Sequence, residues 1–193
     1  CEYYAENSED FLKDKSLKSN AVTSFASYEP LGVIFGVMPW NFPFWQVFRF
    51  AIPAIIAGNS ALVKHAPNVQ ASAVAIEKIF HRSGIPKDIF RVLMIDIDIV
   101  PDIISDKRVK AVSLTGSELA GSKVAECSGK NLKKTVLELG GSDAFIVLDD
   151  ADLSKCVDAA IKGRMLNNGQ SCIAAKRFIV HGDVYDNFLE MLK

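Results

Sequence analysis

The hydrophobic positions of this chain follow two alternating patterns. Short, nearly continuous apolar runs predict strands buried on both faces, whereas apolar residues spaced three and four apart predict amphipathic helices. Strands are predicted at 31–38, 61–64, 90–94, 110–115 and 133–137, and helices at 43–57, 69–83, 100–104 and 116–127. This alternation predicts an α/β fold in which helices cover both faces of a parallel sheet.

Turn residues divide the pattern. Asn68 is predicted to cap the helix 69–83, and Gly140-Gly141 is predicted to mark a domain boundary. Beyond it we predict a second α/β region with strands at 144–148 and 177–180, a helix at 152–164 and a final helix. Residues 1–28 are more polar, and we interpret them as a helix end and an extended segment, 21–28, that pairs outside the main sheet. We therefore divide the chain into residues 1–28, 29–139 and 140–193.

Composition excludes several classes of protein. The net charge is −1 and no basic tract is present, which argues against nucleic acid as a partner. The longest apolar run, residues 50–57, is too short to span a bilayer, and we expect no secretory signal because no basic and apolar leader pattern opens the sequence. The four cysteines and three histidines lack metal-ligand spacing. We expect free thiols, a cytoplasmic location and no metal site.

Both termini interrupt predicted elements. The chain begins at Cys1 rather than at a methionine, and it stops at Lys193 inside an amphipathic pattern that has no helix-stop signal. We therefore expect a part of a longer protein.

A thiol and a carboxylate are the candidate catalytic groups of this chain. Cys172 ends the polar segment 168–172, and Glu138 lies at the end of a predicted strand. A thiol can attack a substrate carbon, and a carboxylate can then activate water. Each residue alone also fits a plainer role, the cysteine as a buried apolar residue and the glutamate as a solvated charge.

Five motifs, taken together, resemble the aldehyde dehydrogenase superfamily. They are Pro-Trp-Asn-Phe-Pro at 39–43, Lys64, Gly116-Ser117 with Gly121, Leu-Glu-Leu-Gly-Gly at 137–141, and Gly-Gln-Ser-Cys at 169–172. Residues 64–69 and 139–143 most resemble the bacterial and archaeal succinate-semialdehyde dehydrogenase type. The resemblance implies a partial N-terminal or oligomerisation segment (1–28), an incomplete variant Rossmann-like NAD(P)-binding domain (29–139) and the start of a catalytic domain (140–193).

The resemblance also assigns catalytic roles. Cys172 is the expected nucleophile, which forms a thiohemiacetal and then a thioester, and Glu138 is the expected base that activates water for hydrolysis. Asn41 is expected to donate its amide N–H to the oxyanion, because an amide donates without a charge that titrates.

The same resemblance implies an NAD(P) cofactor. Many NAD-preferring members place a glutamate three residues after the lysine that corresponds to Lys64, and this chain has Pro67 there. Because no carboxylate repels a 2′-phosphate at that position, we predict that NADP is accepted and preferred, with NAD as the alternative. The expected cofactor-binding residues are Trp40, Asn41, Lys64, His65, Ala66, Pro67, Gly116, Ser117 and Leu139.

Arg49 is the candidate substrate residue. It lies eight positions after Asn41, where relatives that bind a distal substrate carboxylate commonly carry an arginine, and a guanidinium suits a carboxylate. A second arginine of some relatives corresponds to Leu166 here. We therefore predict oxidation of an aldehyde, succinate semialdehyde, by a homo-oligomeric enzyme whose 193-residue part is inactive alone. The alternatives are another aldehyde substrate, with Arg49 structural, and a nucleotide-binding or assembly module without turnover.

Overall fold

The structure, a computed structural model, describes all 193 residues, which divide into two units, residues 1–138 and 139–193. The first unit begins with helix α1 (Glu2–Leu12) and continues into a small antiparallel sheet of β1 (Lys15–Ser16) and β2 (Phe25–Ala26). The extended segment that was predicted to pair outside the main sheet therefore pairs with a strand of the same chain.

A parallel five-stranded sheet forms the centre of the first unit. In chain order its elements are β3 (Val33–Met38), α2 (Trp45–Ile56), β4 (Ser60–His65), α3 (Gln70–Arg82), β5 (Phe90–Val92), α4 (Val100–Ser105), β6 (Val109–Thr115), α5 (Glu118–Lys130) and β7 (Lys134–Glu138). The spatial order is β5-β4-β3-β6-β7, and every neighbouring pair is parallel. The predicted α/β class and each predicted strand and helix of this region are confirmed.

The strand order creates a crevice at the carboxyl end of the sheet. From β3 the chain builds outward through β4 and β5, and then returns to place β6 on the other side of β3. In open α/β sheets, ligands bind at the point where the order reverses. The carboxyl ends of β3 and β6 are that point here, and the helix α5 begins directly above them.

Apolar residues of α2 and α3 cover the sheet. The ring of Phe80 stacks on the ring of Phe90 with centroids 4.2 Å apart, and Val47, Ala51 and Ile76 complete a buried cluster. Phe50 packs so close to Gly36 that an added Cβ at Gly36 would lie 2.6 Å from the phenyl ring. This close approach seats α2 directly against the middle of β3.

One predicted helix cap is wrong. Asn68 lies inside a 3-10 turn, Pro67–Val69, and α3 begins after it with Val69 at the N-cap position and no side-chain cap. Pro67 at the first position of the turn has the fixed φ that favours a helical start there, so the helical backbone begins before Asn68 can act as its cap.

The second unit is a small α/β arrangement. Its elements are β8 (Asp143–Val147), α6 (Leu153–Met165), β9 (Ala175–Val180) and α7 (Gly182–Leu192), and β8 pairs with β9 in parallel. Val147, Val157, Ala160 and Phe188 form its buried cluster. None of the helices of either unit is long and apolar enough to cross a membrane.

Candidate active site

The first unit contains a cavity of about 370 Å³ between α2 and the strands β6 and β7. We call it the Arg49 cavity. Most of its wall is apolar, and its polar wall includes Gln46, Arg49, Thr115, Lys134 and Glu138. It therefore brings together two residues predicted from sequence, the substrate residue Arg49 and the base Glu138.

Arg49 and Glu138 are in direct contact. Nη2 of Arg49 lies 3.1 Å from Oε1 of Glu138, and the two side chains are 46% and 48% exposed. Glu138 is the last residue of β7, and its backbone carbonyl accepts the N–H of Gly116 at 2.9 Å. This hydrogen bond fixes the backbone of the predicted base beside the start of the predicted cofactor loop.

Gln46 is a wall residue that sequence reasoning missed. Its side chain is 5% exposed, and its buried Oε1 has no hydrogen-bond partner. The available signal was its spacing, because a residue three positions before Arg49 lies on the same face of a helix. The Oε1 of Gln46 is therefore a buried polar atom of the wall that no protein group satisfies.

A second cavity of about 380 Å³ lies at the carboxyl ends of β3, β4 and β6 and beside α5. We call it the Lys64 cavity. Lys64 is 6% exposed, and its Nζ donates to the carbonyl of His65 at 3.4 Å. Ser117 caps α5 by accepting the N–H of Ala120 at 3.2 Å. Lys64, Ser117 and Lys123 line the cavity, and no carboxylate does. The cavity therefore presents positive charge with no negative side chain in its wall.

The imidazole of His65 is fully buried rather than facing a ligand. Its Nε2 lies 2.8 Å from the carbonyl of Pro43, and its Nδ1 lies 3.0 Å from the N–H of Ala66. Its Nδ1 also lies 3.3 Å from the carbonyl oxygen of Met38, so both ring nitrogens contact backbone groups. The ring holds the loop before α2 and has no exposed surface, so any contact of His65 with a cofactor is left to its backbone.

The other predicted cofactor residues lie in the flanking loops. Trp40 is 45% exposed and Asn41 follows it in the loop between β3 and α2, while Gly116 follows β6. Ala66 and Pro67 follow β4. None of these five lines either cavity. Leu139 belongs to the second unit.

Cys172 lies in a constrained loop of the second unit. Asn167, Asn168 and Gly169 have φ angles of 53°, 55° and 74°, so three consecutive residues adopt the left-handed conformation. A Cβ on Gly169 would lie 3.1 Å from the carbonyl oxygen of Arg164, and this tight approach and the φ of 74° both favour glycine there. The thiol is free and half-buried.

Lys176 holds the backbone around this thiol. Its Nζ donates to the carbonyl of Cys172 at 2.7 Å and to the carbonyl of Ser171 at 3.2 Å. Lys176 lies at the start of β9, four residues after the cysteine, and no motif in the sequence pointed to it. The other three cysteines are also free, and no group of three or more His, Cys, Asp or Glu residues is arranged to hold a metal ion.

Comparison with known proteins agrees with the motifs. The aldehyde dehydrogenase family model matches residues 1–193, so the chain belongs to the aldehyde dehydrogenase family. The chain is 53% identical over 192 residues to a probable succinate-semialdehyde dehydrogenase (NADP+) of Synechocystis sp., covering 100% of this chain and 42% of that relative. It is 52% identical over 191 residues to a succinate-semialdehyde dehydrogenase (NADP+) of Mycobacterium tuberculosis, covering 97% and 42%.

Solved structures support the same relationship. The succinic semialdehyde dehydrogenase of Streptococcus pyogenes in complex with NADP+ is 43% identical, with a TM-score of 0.96 over 98% of this chain and 42% of that chain. The chain therefore spans about 42% of the length of these relatives. The family resemblance predicted from the motifs is confirmed.

Proposed function

We propose that the full-length protein oxidises succinate semialdehyde to succinate with NADP as the hydride acceptor. The observation that carries the proposal is Arg49, a cation exposed in a largely apolar cavity whose wall also holds Glu138. A guanidinium binds a carboxylate through two parallel hydrogen bonds, so it suits the distal carboxylate of a semialdehyde. The names of the Synechocystis and Mycobacterium relatives support the same substrate and cofactor.

The proposed chemistry uses three residues. The thiolate of Cys172 attacks the aldehyde carbon, and the amide of Asn41 and the backbone N–H of Cys172 donate to the resulting oxyanion. Bound NADP supplies the acceptor for the hydride that leaves that carbon. Glu138 then takes a proton from water as the water oxygen attacks the thioester carbonyl carbon, and the thiolate of Cys172 leaves. Cys172 and Glu138 belong to different units, so their action on one substrate is part of the proposal.

The Lys64 cavity fits the phosphate-bearing end of NADP. Its wall holds a buried ammonium group and the capped start of α5, where backbone N–H groups and the helix dipole favour an anion. Lys64 and Ser117 would hold this end of the cofactor, and Trp40, Asn41, Ala66, Gly116 and Leu139 would contact it from the loops. Pro67 provides no carboxylate to repel a 2′-phosphate, which favours NADP over NAD.

The test is a comparison of substrates on the full-length protein. Arg49→Ala should raise KM for succinate semialdehyde about tenfold or more, since a charge-assisted hydrogen bond contributes about 1.5–3 kcal/mol. It should change KM for butanal, an uncharged aldehyde of the same length, far less. Arg91→Ala is the matched control, because Arg91 is 47% exposed and pairs with Glu77 at 3.2 Å outside both cavities.

One observation favours a second candidate, a dehydrogenase for an uncharged aldehyde. Arg49 is already paired with Glu138, as a purely structural arginine would be. Equal effects of Arg49→Ala on the two aldehydes would support this candidate and remove Arg49 from the substrate site.

Another measurement distinguishes an enzyme from a nucleotide-binding module without turnover. Aldehyde-dependent reduction of NADP is assayed with the full-length protein and with the 193-residue chain. We expect activity in the former and none in the latter. An inactive full-length protein that still binds NADP would contradict the enzymatic proposal.

We also propose that the full-length protein is a cytoplasmic homo-oligomer. Sedimentation of the full-length protein measures its mass and so tests the oligomeric state.

A further inference from the structure

The contact between Arg49 and Glu138 has a consequence for substrate choice. We infer that the distal carboxylate of the substrate and the carboxylate of Glu138 compete for the guanidinium of Arg49, so that an aldehyde carrying a carboxylate releases the general base as it binds. The inference rests on the proposed function, in which Arg49 anchors the substrate and Glu138 activates water.

The geometry makes the competition direct. Oε1 of Glu138 lies 3.1 Å from Nη2 of Arg49, and both residues line the same cavity of about 370 Å³. Both side chains are about half exposed, so a ligand in the cavity can reach them. A carboxylate that binds the guanidinium through two parallel hydrogen bonds uses two of its outward N–H groups. Glu138 must then share or lose its position on Nη2.

Two cations line the cavity, and one of them, Arg49, is paired with Glu138. Lys134 lines the same wall and is exposed, and it forms no salt bridge with Glu138. Gln46, one helical turn before Arg49, adds a buried amide oxygen, which accepts hydrogen bonds and does not attract a carboxylate. Arg49 is therefore the wall cation that contacts Glu138, and Lys134 is a second cation in the wall.

The expected coupling is small and reciprocal. Ion pairs between exposed side chains are weak, so the Arg49–Glu138 pair should reduce the affinity for a competing carboxylate by about two- to fivefold. Linkage requires that the two effects be equal. The factor by which bound substrate weakens the Arg49–Glu138 pair is also the factor by which Glu138 weakens the binding of substrate.

Release of Glu138 from Arg49 should raise the rate of thioester hydrolysis. In this step the water oxygen bonds to the carbonyl carbon, the carbon–sulfur bond breaks with its electron pair remaining on the sulfur of Cys172, and the proton of water passes to Glu138. A carboxylate oxygen held by Arg49 is less available to accept that proton. Aldehydes without a distal carboxylate leave the Arg49–Glu138 pair intact, so the thioesters formed from them should be hydrolysed more slowly.

The binding test uses full-length protein with Cys172→Ala, which cannot turn over, titrated with succinate semialdehyde by calorimetry. Glu138→Gln and Glu138→Asp should each lower Kd about two- to fivefold, because the amide removes the negative charge of the 3.1 Å pair and the shorter aspartate cannot keep the contact. Glu138→Asp keeps the negative charge, so it separates competition from a general loss of charge. Glu126→Gln, which breaks the exposed 2.9 Å pair with Lys130 outside the cavity, is the matched control and should leave Kd unchanged.

The outcomes separate this inference from the proposed function. An unchanged Kd in Arg49→Gln would remove the substrate anchor and overturn both proposals. A raised Kd in Arg49→Gln, with unchanged or higher values in both Glu138 variants, would overturn the competition alone. Tightening in Glu138→Gln but not in Glu138→Asp would also overturn it, because charge rather than contact would then be responsible.

A kinetic test examines the release of the base. With butanal, which has no distal carboxylate, Arg49→Gln should raise the rate of thioester hydrolysis about two- to fivefold, since Glu138 is then unpaired throughout. The rate is followed as the disappearance of the thioester in rapid-quench samples taken after the burst of NADPH. An unchanged or lower rate would overturn the release of the base, whatever the binding result.

Discussion

The Arg49 cavity and the Lys64 cavity are nearly equal in volume, about 370 and 380 Å³, yet their positive charges have different surroundings. Lys64 is buried, its Nζ contacts a backbone carbonyl at 3.4 Å, and no carboxylate lines its cavity. Arg49 is half exposed and already contacts a carboxylate at 3.1 Å. One cation has no counter-ion in its cavity wall, whereas the other is paired.

This difference indicates two kinds of binding. An anion that enters the Lys64 cavity adds a partner to a buried charge, which is otherwise costly to keep in a protein interior. An anion that enters the Arg49 cavity must exchange with Glu138. The first arrangement suits a cofactor phosphate that is required in every turnover, and the second suits discrimination among aldehydes.

The largest effect is expected when the buried charge of Lys64 is removed. Lys64→Met should raise Kd for NADP about ten- to hundredfold, because a hydrogen bond to a charged group contributes about 1.5–3 kcal/mol, and Kd for NAD should change much less. Fluorescence titration of the full-length protein measures both. Lys123→Met is the matched control, since Lys123 lines the same cavity but is exposed and lies 3.8 Å from Glu126. Equal losses for NAD and NADP would contradict the phosphate-binding role that we propose for Lys64.

A smaller effect should follow from adding a carboxylate near the same cavity. Pro67→Glu should weaken NADP binding about fivefold, since two like charges about 4 Å apart in water repel by about 1 kcal/mol. Pro67 is exposed, so the change should disturb little packing. Pro67→Gln, which is neutral and of the same size as glutamate, is the control. A similar loss of NADP affinity in both variants would attribute the effect to the turn rather than to charge.

The helix caps allow a comparison of similar substitutions in the two units. Ser117→Ala removes the cap of α5 and should lower the free energy of unfolding by about 1 kcal/mol while also weakening NADP binding. Asp152→Ala removes the cap of α6 and should leave NADP binding unchanged. Denaturant unfolding and NADP titration of the full-length protein measure the two effects. Loss of NADP affinity in both variants would indicate a general effect of destabilisation.

The same two caps should differ with pH. Hydrogen bonds from the side chain and from the backbone N–H of Lys155 lower the pKa of Asp152 below its ordinary value. Its contribution to stability is therefore present above the unfolded-state pKa and is lost as the pH falls through the lowered folded-state value. The cost of Asp152→Ala should shrink in that acid range, whereas the cost of Ser117→Ala should not, because a hydroxyl does not titrate there. Parallel pH profiles of the two costs would contradict this assignment.

The smallest expected effect has the opposite sign. Gln46→Met should raise the free energy of unfolding by about 0.5–1 kcal/mol, because it removes a buried oxygen without a partner and conserves side-chain size. Thermal or denaturant unfolding of the full-length protein measures it, with Ser128→Ala as the control for another buried oxygen without a partner. A clear loss of stability in Gln46→Met alone would show that the Arg49 cavity depends on this amide.

Local patterns predicted the elements better than their ends. Each strand and helix of residues 29–138 was predicted, because the spacing of apolar residues directly records which faces are buried. The start of α3 was wrong because a cap depends on the backbone path, and the turn at Pro67 determined that path. His65 shows the same limit, since its place beside Lys64 in the sequence gave no sign that its ring is buried against the carbonyl of Pro43.

The sequence by itself determined the family, the alternation of strands and helices and the identity of the candidate residues Cys172, Glu138, Asn41, Lys64 and Arg49. Periodicity and short motifs are local properties of a chain, so they can be read without coordinates. Only the tertiary structure decided that Arg49 contacts Glu138 and that Lys64 faces a cavity without a carboxylate. Those facts depend on the order of the strands in the sheet and on how α2 packs on it, which bring distant residues together in ways that neighbouring residues do not encode.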